Sequence, residues 1–349
     1  MIEKPFFSFL LITYKQERFV EEAFNSCINQ TYRNFEIVIC DDNSPDNTFN
    51  ILKNLVEKYK ETGGDIHITL HRNEQNRGIG GNFQQAAILS QGQWLVMAAG
   101  DDISLPSRLK TLKNVIDNHN NIYGINTARY FVDEQAKHPQ YNFKKNYLLG
   151  ADSAWHRSLF FDFQPLDKRV MSEDHILNLR AMLKGEMLQV NTPTIYYRIS
   201  SQNYSMQKAI DIVGMKKAEK KKMDYHKNLL LFRLEDIEQW QSKGNKVPEA
   251  VKNKVYSELN DVNKQIASYQ LYINVAEGSL YNKIKYLITP CKIWLHNKLL
   301  YRIYNLLKMY HLLNEKPKRK VIWNNIETQK DNRVITLTLK DFIEKKELF

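Results

Sequence analysis

Two pairs of adjacent aspartates stand where apolar, strand-like runs end. Asp41-Asp42 directly follows one such run, and Asp101-Asp102 follows another. In open α/β sheets, ligands bind beyond the carboxyl ends of the strands. Adjacent carboxylates repel, so a cation between them and a ligand would stabilise the arrangement, and Mg²⁺ or Mn²⁺ combines carboxylate with phosphate and water oxygens. The two pairs therefore predict a metal-bridged diphosphate at one sheet edge, although a single Asp pair at a strand end more often forms a turn or a helix cap.

A third acidic pair, Glu173-Asp174, begins a predicted helix that runs to Leu183. Acidic side chains are favoured in the first turn of any helix because of its macrodipole. From the residues alone, a plain helix N-terminus is therefore the better interpretation of this pair. The glycines between Gly78 and Gly81 do not form a dinucleotide fingerprint, and they predict a turn that leads into a helix lining a donor site.

The elements that must position these acids alternate along the first half of the chain. Such βαβαβ alternation predicts an α/β fold with a mostly parallel sheet and helices on both faces. The predicted strands are Phe6–Thr13, Phe35–Cys40, Ile66–Leu70, Trp94–Met97 and the late strand Gln189–Tyr197. The predicted helices are Glu17–Asn29, Asp46–Lys60, Phe83–Ser90 and Glu173–Leu183.

The pattern changes along the rest of the chain. Residues 120–170 indicate short aromatic strands and loops, whereas the sequence beyond Ser205 shows long helical periodicity with many lysines. A chain of 349 residues suggests two folding units. We therefore predict a catalytic domain over residues 1–205 and a mainly helical region over 206–349, in which Val334–Phe349 forms a strand and a short helix.

The charge is divided unevenly between these two regions. Residues 1–205 contain 22 Lys+Arg and 23 Asp+Glu, a balance of −1, whereas residues 206–349 contain 28 and 16, a balance of +12, within a net charge of +11. A basic region favours an acidic partner such as nucleic acid, anionic lipid or a phosphorylated substrate, or else forms a solvated helical surface. Nucleic acid is disfavoured because no recognition motif accompanies the charge.

Composition excludes several other classes of protein. The chain is 43% hydrophobic and 26% charged, as expected for a globular protein, and no apolar run approaches the roughly 20 residues that span a bilayer. Its three cysteines are an odd number without CxxC spacing. This count favours a reducing, cytoplasmic compartment and argues against a disulfide framework or a zinc cluster.

Taken in order, these motifs resemble glycosyltransferase family 2, which has the GT-A fold. Each motif is weak by itself, but the ordered set is specific and covers residues 1–205. The motifs are Phe7–Tyr14 (FSFLLITY), Gln30–Tyr32 (QTY), Phe35–Ser44 (FEIVICDDNS), Asn76–Gly78 (NRG), Gly92–Asp102 with Pro106, and Ser172–Arg180 (SEDHILNLR).

The resemblance implies inverting transfer of a sugar from a nucleotide-diphosphate donor. Asp42 matches the acid that reads the uracil ring, and Thr13 and Tyr14 match the strand end that flanks the base. Asp101 and Asp102 match the motif that holds a divalent cation, Mn²⁺ or Mg²⁺, against the donor diphosphate. Asp101 is therefore also expected to contact the nucleotide.

The resemblance also changes the interpretation of the third acidic pair. Asp174 matches the family's catalytic base, and Glu173 is a weaker candidate for the same role. Such a base takes the proton of the acceptor hydroxyl as its oxygen attacks, which contributes on the order of 10²–10⁴-fold in rate. Arg198 is expected to offset phosphate charge, with a surface ion pair as the alternative.

Two departures from the family pattern bear on these expectations. Many members have a further Asp where this chain has Ala99, so only two carboxylates remain for the metal. Members often have a His after the late Tyr-Arg pair, whereas Arg198 is followed by Ile199-Ser200-Ser201. The QxxRW motif of processive synthases is absent, which favours transfer of a single sugar to a glycan or lipid-linked acceptor.

The segment Leu280–Leu313 combines an apolar stripe with basic residues at helical spacing. This pattern fits a helix lying on an anionic membrane surface, which would place the protein at the inner face of the cell membrane. A helix packed on the catalytic domain, or a dimer contact, fits the same pattern.

Other functions remain open at this stage. Ala99 and Ser200 favour a nucleotide-sugar-binding or scaffold protein that has lost turnover. A nucleotidyltransferase also uses paired acids and a metal, but it needs a glycine-rich loop after the first strand, and Thr13–Arg18 contains no glycine. A retaining transferase or a hydrolase would also use carboxylate pairs.

Overall fold

The structure, a computed structural model, describes residues 5–144, 148–199, 212–277 and 334–344. Strands and helices alternate up to residue 199, and helices dominate the described residues after it. The strands are β1 (Phe7–Thr13), β2 (Phe35–Asp41), β3 (His67–Arg72), β4 (Trp94–Ala99), β5 (Ile103–Ser104), β6 (Ile122–Val132), β7 (Gln140–Asn142), β8 (Ser153–His156), β9 (Glu186–Arg198) and β10 (Val334–Leu337). The helices are α1 (Val20–Ile28), α2 (Thr48–Glu61), α3 (Gly78–Leu89), α4 (Arg108–Asp117), α5 (Ser158–Phe161), α6 (Glu173–Lys184), α7 (Ile212–Ser242), α8 (Glu249–Glu277) and α9 (Leu339–Glu344), with a 3₁₀ turn at Gly150–Asp152.

All the strands join one mixed sheet in the order β10-β9-β6-β8-β4-β1-β2-β3, while β5 pairs with β9 and β7 with β6. Strands β1 to β4 are mutually parallel, and β6 is parallel to β9. Strand β8 is antiparallel to both β4 and β6, so β6 and β9 run in the same direction as β1 to β4. Six strands therefore end at one edge of the sheet.

The centre of the sheet is buried on both faces because its strands are continuous apolar runs. Every residue of β1 and β2 is buried. Phe7, Phe9 and Leu11 join the core cluster that α1, α2 and α4 complete on one face. Helix α3 packs against β1 and β2, and its buried Phe83 lies outside that cluster. The predicted mostly parallel α/β sheet with flanking helices is confirmed.

Two elements differ from their sequence-based prediction. Helix α3 begins at Gly78, so the predicted turn at Gly78–Gly81 is the first turn of the helix. The reason lies far away in sequence: the Asp42 carboxylate accepts the backbone N–H groups of Arg77 and Gly78, which satisfies donors that a helix start leaves open. Strand β6 is a single strand of 11 residues, where short strands and loops were expected.

The described residues divide into two units. The first contains the sheet domain, Phe232–Lys252 and the C-terminal elements β10 and α9, and the second contains the described residues before Phe232 in α7 and after Lys252 in α8. The predicted helical region is confirmed over residues 212–277, and β10 and α9 agree with the strand and short helix predicted there. The domain boundary near residue 205 stays a prediction, and the segment Leu280–Leu313 lies outside the described residues.

Within the described ranges, no helix is both long enough and apolar enough to cross a membrane. Cys27 and Cys40 are buried free thiols, and burial raises the pKa of each to about 12. Such thiols stay protonated at neutral pH and are poor nucleophiles or metal ligands.

Candidate active site

The edge at which the parallel strands end gathers most of the predicted site residues. Thr13 ends β1, Asp42 follows β2, and Asp101 and Asp102 follow β4. Arg198 ends β9 at the same edge. The structure thus brings together residues that lie up to 185 positions apart, because their strands share one direction.

Asp42 is almost completely buried, and its carboxylate is held by three donors. The side-chain amide of Asn73 and the backbone N–H of Arg77 donate to Oδ1 (both 2.8 Å), and the backbone N–H of Gly78 donates to Oδ2 (2.9 Å). Two carboxylate oxygens offer about four acceptor positions. One position on Oδ2 therefore remains for a donor from a ligand, such as the ring N–H of uracil.

Asn73 is a site residue that the sequence did not indicate. Its amide bridges Asp42 and the side-chain oxygen of Asn82 (2.9 Å), and the amide of Asn82 donates to the Cys40 carbonyl (3.0 Å). Asn73 follows β3 as Asp42 follows β2, so its place at a parallel strand end was the signal that could have identified it.

The end of β1 places one buried and one exposed side chain beside Asp42. The Thr13 hydroxyl donates to Asp41 Oδ2 (3.1 Å), and the Thr13 carbonyl accepts the backbone N–H of Asp42 (2.9 Å). Tyr14 is 41% exposed, and the Lys15 ammonium lies 5.2 Å from the centre of its ring. Thr13 therefore fixes the strand ends, whereas Tyr14 offers an aromatic face to a ligand.

Asp101 is half-buried and Asp102 is buried, and the two adjacent carboxylates interact. Gln16 Nε2 donates to Asp101 Oδ1 (3.1 Å), and the backbone N–H of Arg198 donates to Asp102 Oδ1 (2.9 Å). Burial raises the pKa of Asp101; burial and then the charge of Asp101 raise the pKa of Asp102 well above its usual value. Gly100 directs the turn between them and β4, since a Cβ there would collide with Gln16 and Thr13.

This pair suits a divalent cation. The Gln16 amide and the backbone N–H of Arg198 both donate to Oδ1 atoms, and burial destabilises both carboxylates as anions. A hard cation would stabilise both and take its other ligands from phosphate and water. No cluster of three His, Cys, Asp or Glu side chains suited to a metal occurs within the described ranges. Metal binding by Asp101 and Asp102 stays a prediction.

The Arg198 side chain is buried and bonded to other protein groups, unlike an arginine whose side chain is free to bind phosphate. Arg198 is 2% exposed, and its Nε donates to the Asp101 carbonyl (2.8 Å). Its other nitrogens contact the Glu134 carbonyl and the Glu22 carboxylate. These contacts brace the turn that carries the acid pair, and a direct contact of Arg198 with diphosphate stays a prediction.

Glu173 and Asp174 are buried in the first turn of α6, beside the 3₁₀ turn that precedes β8. The backbone N–H groups of Gly150 and His175 donate to Asp174 Oδ2 (3.0 Å) and Oδ1 (2.8 Å). Gly150 is required here, because a Cβ on it would collide with the Glu173 carboxyl. The 3₁₀ turn packs against β4, whose carboxyl end leads to the acid pair Asp101-Asp102.

The two carboxyl groups differ in pKa. Burial, and then the charge of Asp174, raises the pKa of Glu173 to about 8. Burial raises the pKa of Asp174 to about 6, opposed by the N–H groups of His175 and Gly150 and by the Arg233 charge. Burial therefore favours retention of a proton in this pair, and the two backbone N–H groups favour the ionised form of Asp174.

The turn that carries Gly150 is itself held by buried side chains. Asn126 donates to the Leu149 carbonyl (2.8 Å), and Arg108 donates to the Ala151 carbonyl (2.9 Å). The Asp152 carboxylate pairs with Arg129 at 2.6 Å. Asn126, Arg108 and Arg129 were not singled out from the sequence, since each contacts a turn that is distant from it along the chain.

Comparison with known proteins places this geometry in a family. The sequence model of Glycosyl transferase family 2 matches residues 8–184, just over half of the chain. An uncharacterized glycosyltransferase of Methanocaldococcus jannaschii is 27% identical over 196 residues, which is 52% of this chain and 66% of the relative. The poly(ribitol-phosphate) β-N-acetylglucosaminyltransferase TarS of Staphylococcus aureus is 25% identical over 207 residues, 55% of this chain and 35% of TarS. The chain thus spans less than two thirds of the length of either relative.

Two solved structures share the fold. TarS residues 1–349, in complex with UDP-GlcNAc, superpose with a TM-score of 0.54 at 18% identity, covering 80% of this chain and 78% of that chain. A mannosyltransferase of Pyrobaculum calidifontis, in complex with GDP-Man and Mn²⁺, superposes with a TM-score of 0.52 at 15% identity, covering 89% and 83%. Such identities show the fold alone, which is GT-A-like. Because the family model matches over half of the chain, from Ser8 in β1 to Lys184 at the end of α6, and includes the acid pair after β4, the chain belongs to glycosyl transferase family 2.

Proposed function

We propose that this protein is an inverting glycosyltransferase that moves a single sugar from a UDP-sugar to a glycan or lipid-linked acceptor. The observation that carries the proposal is that two chemically different acid pairs lie near one edge of the sheet. Asp101-Asp102 suits a cation and a diphosphate, and in the buried pair Glu173-Asp174 two backbone N–H groups favour the ionised form of Asp174.

The donor would lie across the ends of β1, β2 and β4. Asp42 retains one acceptor position for the uracil ring N–H, a donor that cytosine lacks at the same ring position. Tyr14 would stack on the base, and Thr13 keeps the two strand ends together through Asp41. Asp101 and Asp102 would hold Mn²⁺ or Mg²⁺, which when bound offsets the charge developing on the leaving diphosphate.

The acceptor hydroxyl would be activated by Asp174. Its carboxylate is fixed by two backbone N–H groups, so it can take the proton without a change of rotamer while the acceptor oxygen attacks the anomeric carbon. Burial raises the pKa of Glu173 further, to about 8, so its deprotonated form is less available to accept the proton. Direct attack without a covalent sugar–enzyme intermediate inverts the anomeric configuration.

We further infer a role in cell-surface polysaccharide or lipopolysaccharide synthesis, in the cytoplasm or at the inner face of the cell membrane. TarS, whose name states that it modifies poly(ribitol-phosphate), supports a surface glycan as the acceptor class. The basic balance of residues 206–349 supports an anionic or phosphorylated acceptor carrier.

A donor screen tests the proposal. The protein is incubated with Mn²⁺, a panel of UDP-, GDP- and CDP-sugars, and candidate acceptors, and release of free nucleotide is measured. We expect acceptor-dependent release from a UDP-sugar by the wild type and little by Asp174→Asn, the matched control. Release only from GDP- or CDP-sugars, or equal release by both proteins, would contradict the proposal.

A second candidate is a nucleotide-sugar-binding protein with weakened catalysis, which Ala99 favours because it removes one potential metal ligand. That function predicts calorimetric binding of UDP and Mn²⁺ without acceptor-dependent turnover of any UDP-sugar. The same screen, combined with a binding measurement, distinguishes the two.

A further inference from the structure

Arg233 reaches the candidate catalytic turn from outside the part of the chain that matches the family. It lies in α7, 49 residues beyond the end of the match at Lys184. Its side chain is 2% exposed, and its Nη2 and Nε donate to the His175 carbonyl at 3.0 and 3.3 Å. His175 directly follows Asp174, so a cation from α7 contacts the turn that carries the proposed base.

Neighbouring residues fix this part of α7 in place. Arg180 of α6 forms a fully buried, two-bond pair with Asp236 (2.7 and 2.8 Å). Glu235 pairs with Arg169 at 3.0 Å. The Arg233 guanidinium also lies 5.6 Å from the ring centre of Phe342 in α9. These contacts hold Arg233 in place, so its side chain does not have to become ordered when a substrate binds.

The charge of Arg233 acts on Asp174 in an environment that otherwise disfavours a carboxylate. Glu173 is the neighbouring acid, and its ionisation would raise the pKa of Asp174. The N–H groups of Gly150 and His175 favour the ionised form. Among the described residues, Arg233 is the one cationic side chain that lowers the pKa of Asp174, and an opposite charge within ~4–6 Å typically lowers a carboxyl pKa by ~1–3 units.

We propose that Arg233 is a positioning residue for the base: it anchors the first turn of α6 through the His175 carbonyl and places a positive charge beside the turn that carries Asp174. The inference rests on the proposed function only in naming Asp174 as the base. It adds that the helical C-terminal region contributes directly to the catalytic centre, so residues 1–205 alone would lack a part of it.

The first test measures the ionisation of Asp174 directly, without turnover. Aspartate side chains are labelled with ¹³C at the carboxyl carbon, and the Asp174 signal is assigned by its loss in Asp174→Asn. In Arg233→Gln, whose amide can still donate to the His175 carbonyl, we expect the Asp174 pKa to rise by about one unit. Arg233→Lys, which keeps the charge, should restore most of the wild-type titration.

Glu235→Gln is the matched control, because it weakens the attachment of the same helix without removing the cation near Asp174. It should leave the Asp174 titration unchanged. A titration unchanged in folded Arg233→Gln, or shifted equally in Glu235→Gln, would overturn the proposal. If Arg233→Gln does not fold, a titration in Arg233→Lys that moves by a full unit despite the retained charge would overturn it, and a near wild-type titration would support it.

The second test uses turnover. The acid limb of the kcat profile should move to higher pH in Arg233→Gln by the same shift as the Asp174 titration, whereas calorimetric UDP–Mn²⁺ binding should stay within about twofold of wild type. A purely structural role predicts a lower melting temperature with the acid limb in place. Absence of sugar transfer by the wild type would contradict the proposed function, while the carboxyl titration would still decide the role of Arg233.

Discussion

At the scale of single residues, the division of labour between Glu173 and Asp174 follows from where their donors are. Both carboxyls are buried at the start of one helix, and both have raised pKa values. Two backbone N–H groups donate to Asp174, whereas the Glu173 carboxyl occupies the space that a Cβ on Gly150 would fill. The N–H groups thus favour the ionised form of Asp174, whereas burial favours the protonated form of Glu173.

Replacing Asp174 with Asn should therefore remove the base and little else. We expect UDP–Mn²⁺ affinity close to wild type, by calorimetry, and a loss of turnover on the order of 10²–10⁴-fold. Glu173→Gln, the control, replaces the neighbouring carboxyl by a group of similar shape and should lose much less. Near wild-type transfer by Asp174→Asn would mean that the base lies elsewhere, with Glu173 as the first candidate.

The same assignment sets the pH dependence of the wild type. A base with a pKa raised to about 6 is active in its deprotonated form, so turnover should be constant above that value and fall as the pH decreases through about 6. An acid limb near pH 4, where an unperturbed Asp titrates, would contradict burial as the dominant cause.

Asp42 has two roles that a substitution can separate. It holds the start of α3 and offers its last acceptor position to a base, so UDP should bind more tightly than CDP. Asp42→Ala should reduce that ratio, measured by calorimetry on the folded protein. Asn76→Ala is the control: Asn76 also supports this helix start, by accepting the Gly78 N–H and donating to the Asp42 carbonyl, but it supplies no carboxylate. A ratio near one in the wild type would refute base recognition by Asp42.

At the scale of elements, the ends of β4 and β9 form one unit. The backbone N–H of Arg198 binds Asp102 and its side chain binds the Asp101 carbonyl. The antiparallel pairing of β5 with β9 brings the two strand ends together. The acid pair is therefore preorganised by hydrogen bonds to the backbone.

This arrangement predicts that metal and nucleotide bind cooperatively. Mn²⁺ affinity, followed by electron paramagnetic resonance, should increase when UDP is added, because phosphate completes the two-carboxylate site. A double variant, Asp101→Asn with Asp102→Asn, should lose this increase, and EDTA should abolish turnover by the wild type. Asp133→Asn, which changes an acid after β6, is the control and should behave as wild type. Full turnover by metal-free protein would contradict the assignment.

The contact of α6 with α7 depends on the buried pair Arg180–Asp236. Removing one partner of a buried pair leaves an uncompensated charge, so Arg180→Met should lower the free energy of unfolding by about 3–5 kcal/mol in a urea titration. Arg169→Gln removes a half-exposed pair with Glu235 on the same helix and should cost about 1 kcal/mol or less. Adding Asp236→Leu to Arg180→Met should recover part of the loss, and failure to do so would argue against the unpaired charge as its cause.

At the scale of the whole molecule, chemistry and charge are distributed differently along the chain. The candidate site lies almost entirely before residue 199, whereas the excess of +12 lies after residue 205. Arg233 belongs to the basic region, residues 206–349, but contacts the first turn of α6, which carries Asp174. We therefore expect the basic region to serve both catalysis and localisation.

The localisation part can be tested with liposomes. Each basic residue near an anionic bilayer contributes about 1 kcal/mol, an effect that fades with salt. Co-sedimentation should therefore require anionic lipid and weaken at high salt, and deletion of residues 280–313 should abolish it. The comparison variant replaces the lysines within Lys216–Lys222 by neutral residues and retains residues 280–313. Binding that survives the deletion would remove that segment from the proposal.

The sequence predicted the edge of the sheet that carries the site, because strand periodicity and strand-end acids are local patterns. It did not predict the features that depend on contacts between residues distant in sequence. Asp42 accepts the Gly78 N–H at the start of α3, 36 positions away in sequence. Arg233 donates to the His175 carbonyl in the first turn of α6, 58 positions away. The length of β6, with its bulges near Thr127 and Ala128, also depends on the parallel pairing with β9 rather than on the aromatic pattern of the strand.

Strand β10 has a practical consequence for shortened versions of this protein. It pairs with Met187–Val190 of β9, so the last described strand of the chain covers part of an otherwise free side of the sheet. A version ending near residue 205 would expose those backbone N–H and C=O groups as an edge strand, which is a template for pairing between molecules. Such a version should aggregate in a concentration-dependent manner, and supplying Val334–Leu337 as part of a separate peptide should reduce that aggregation.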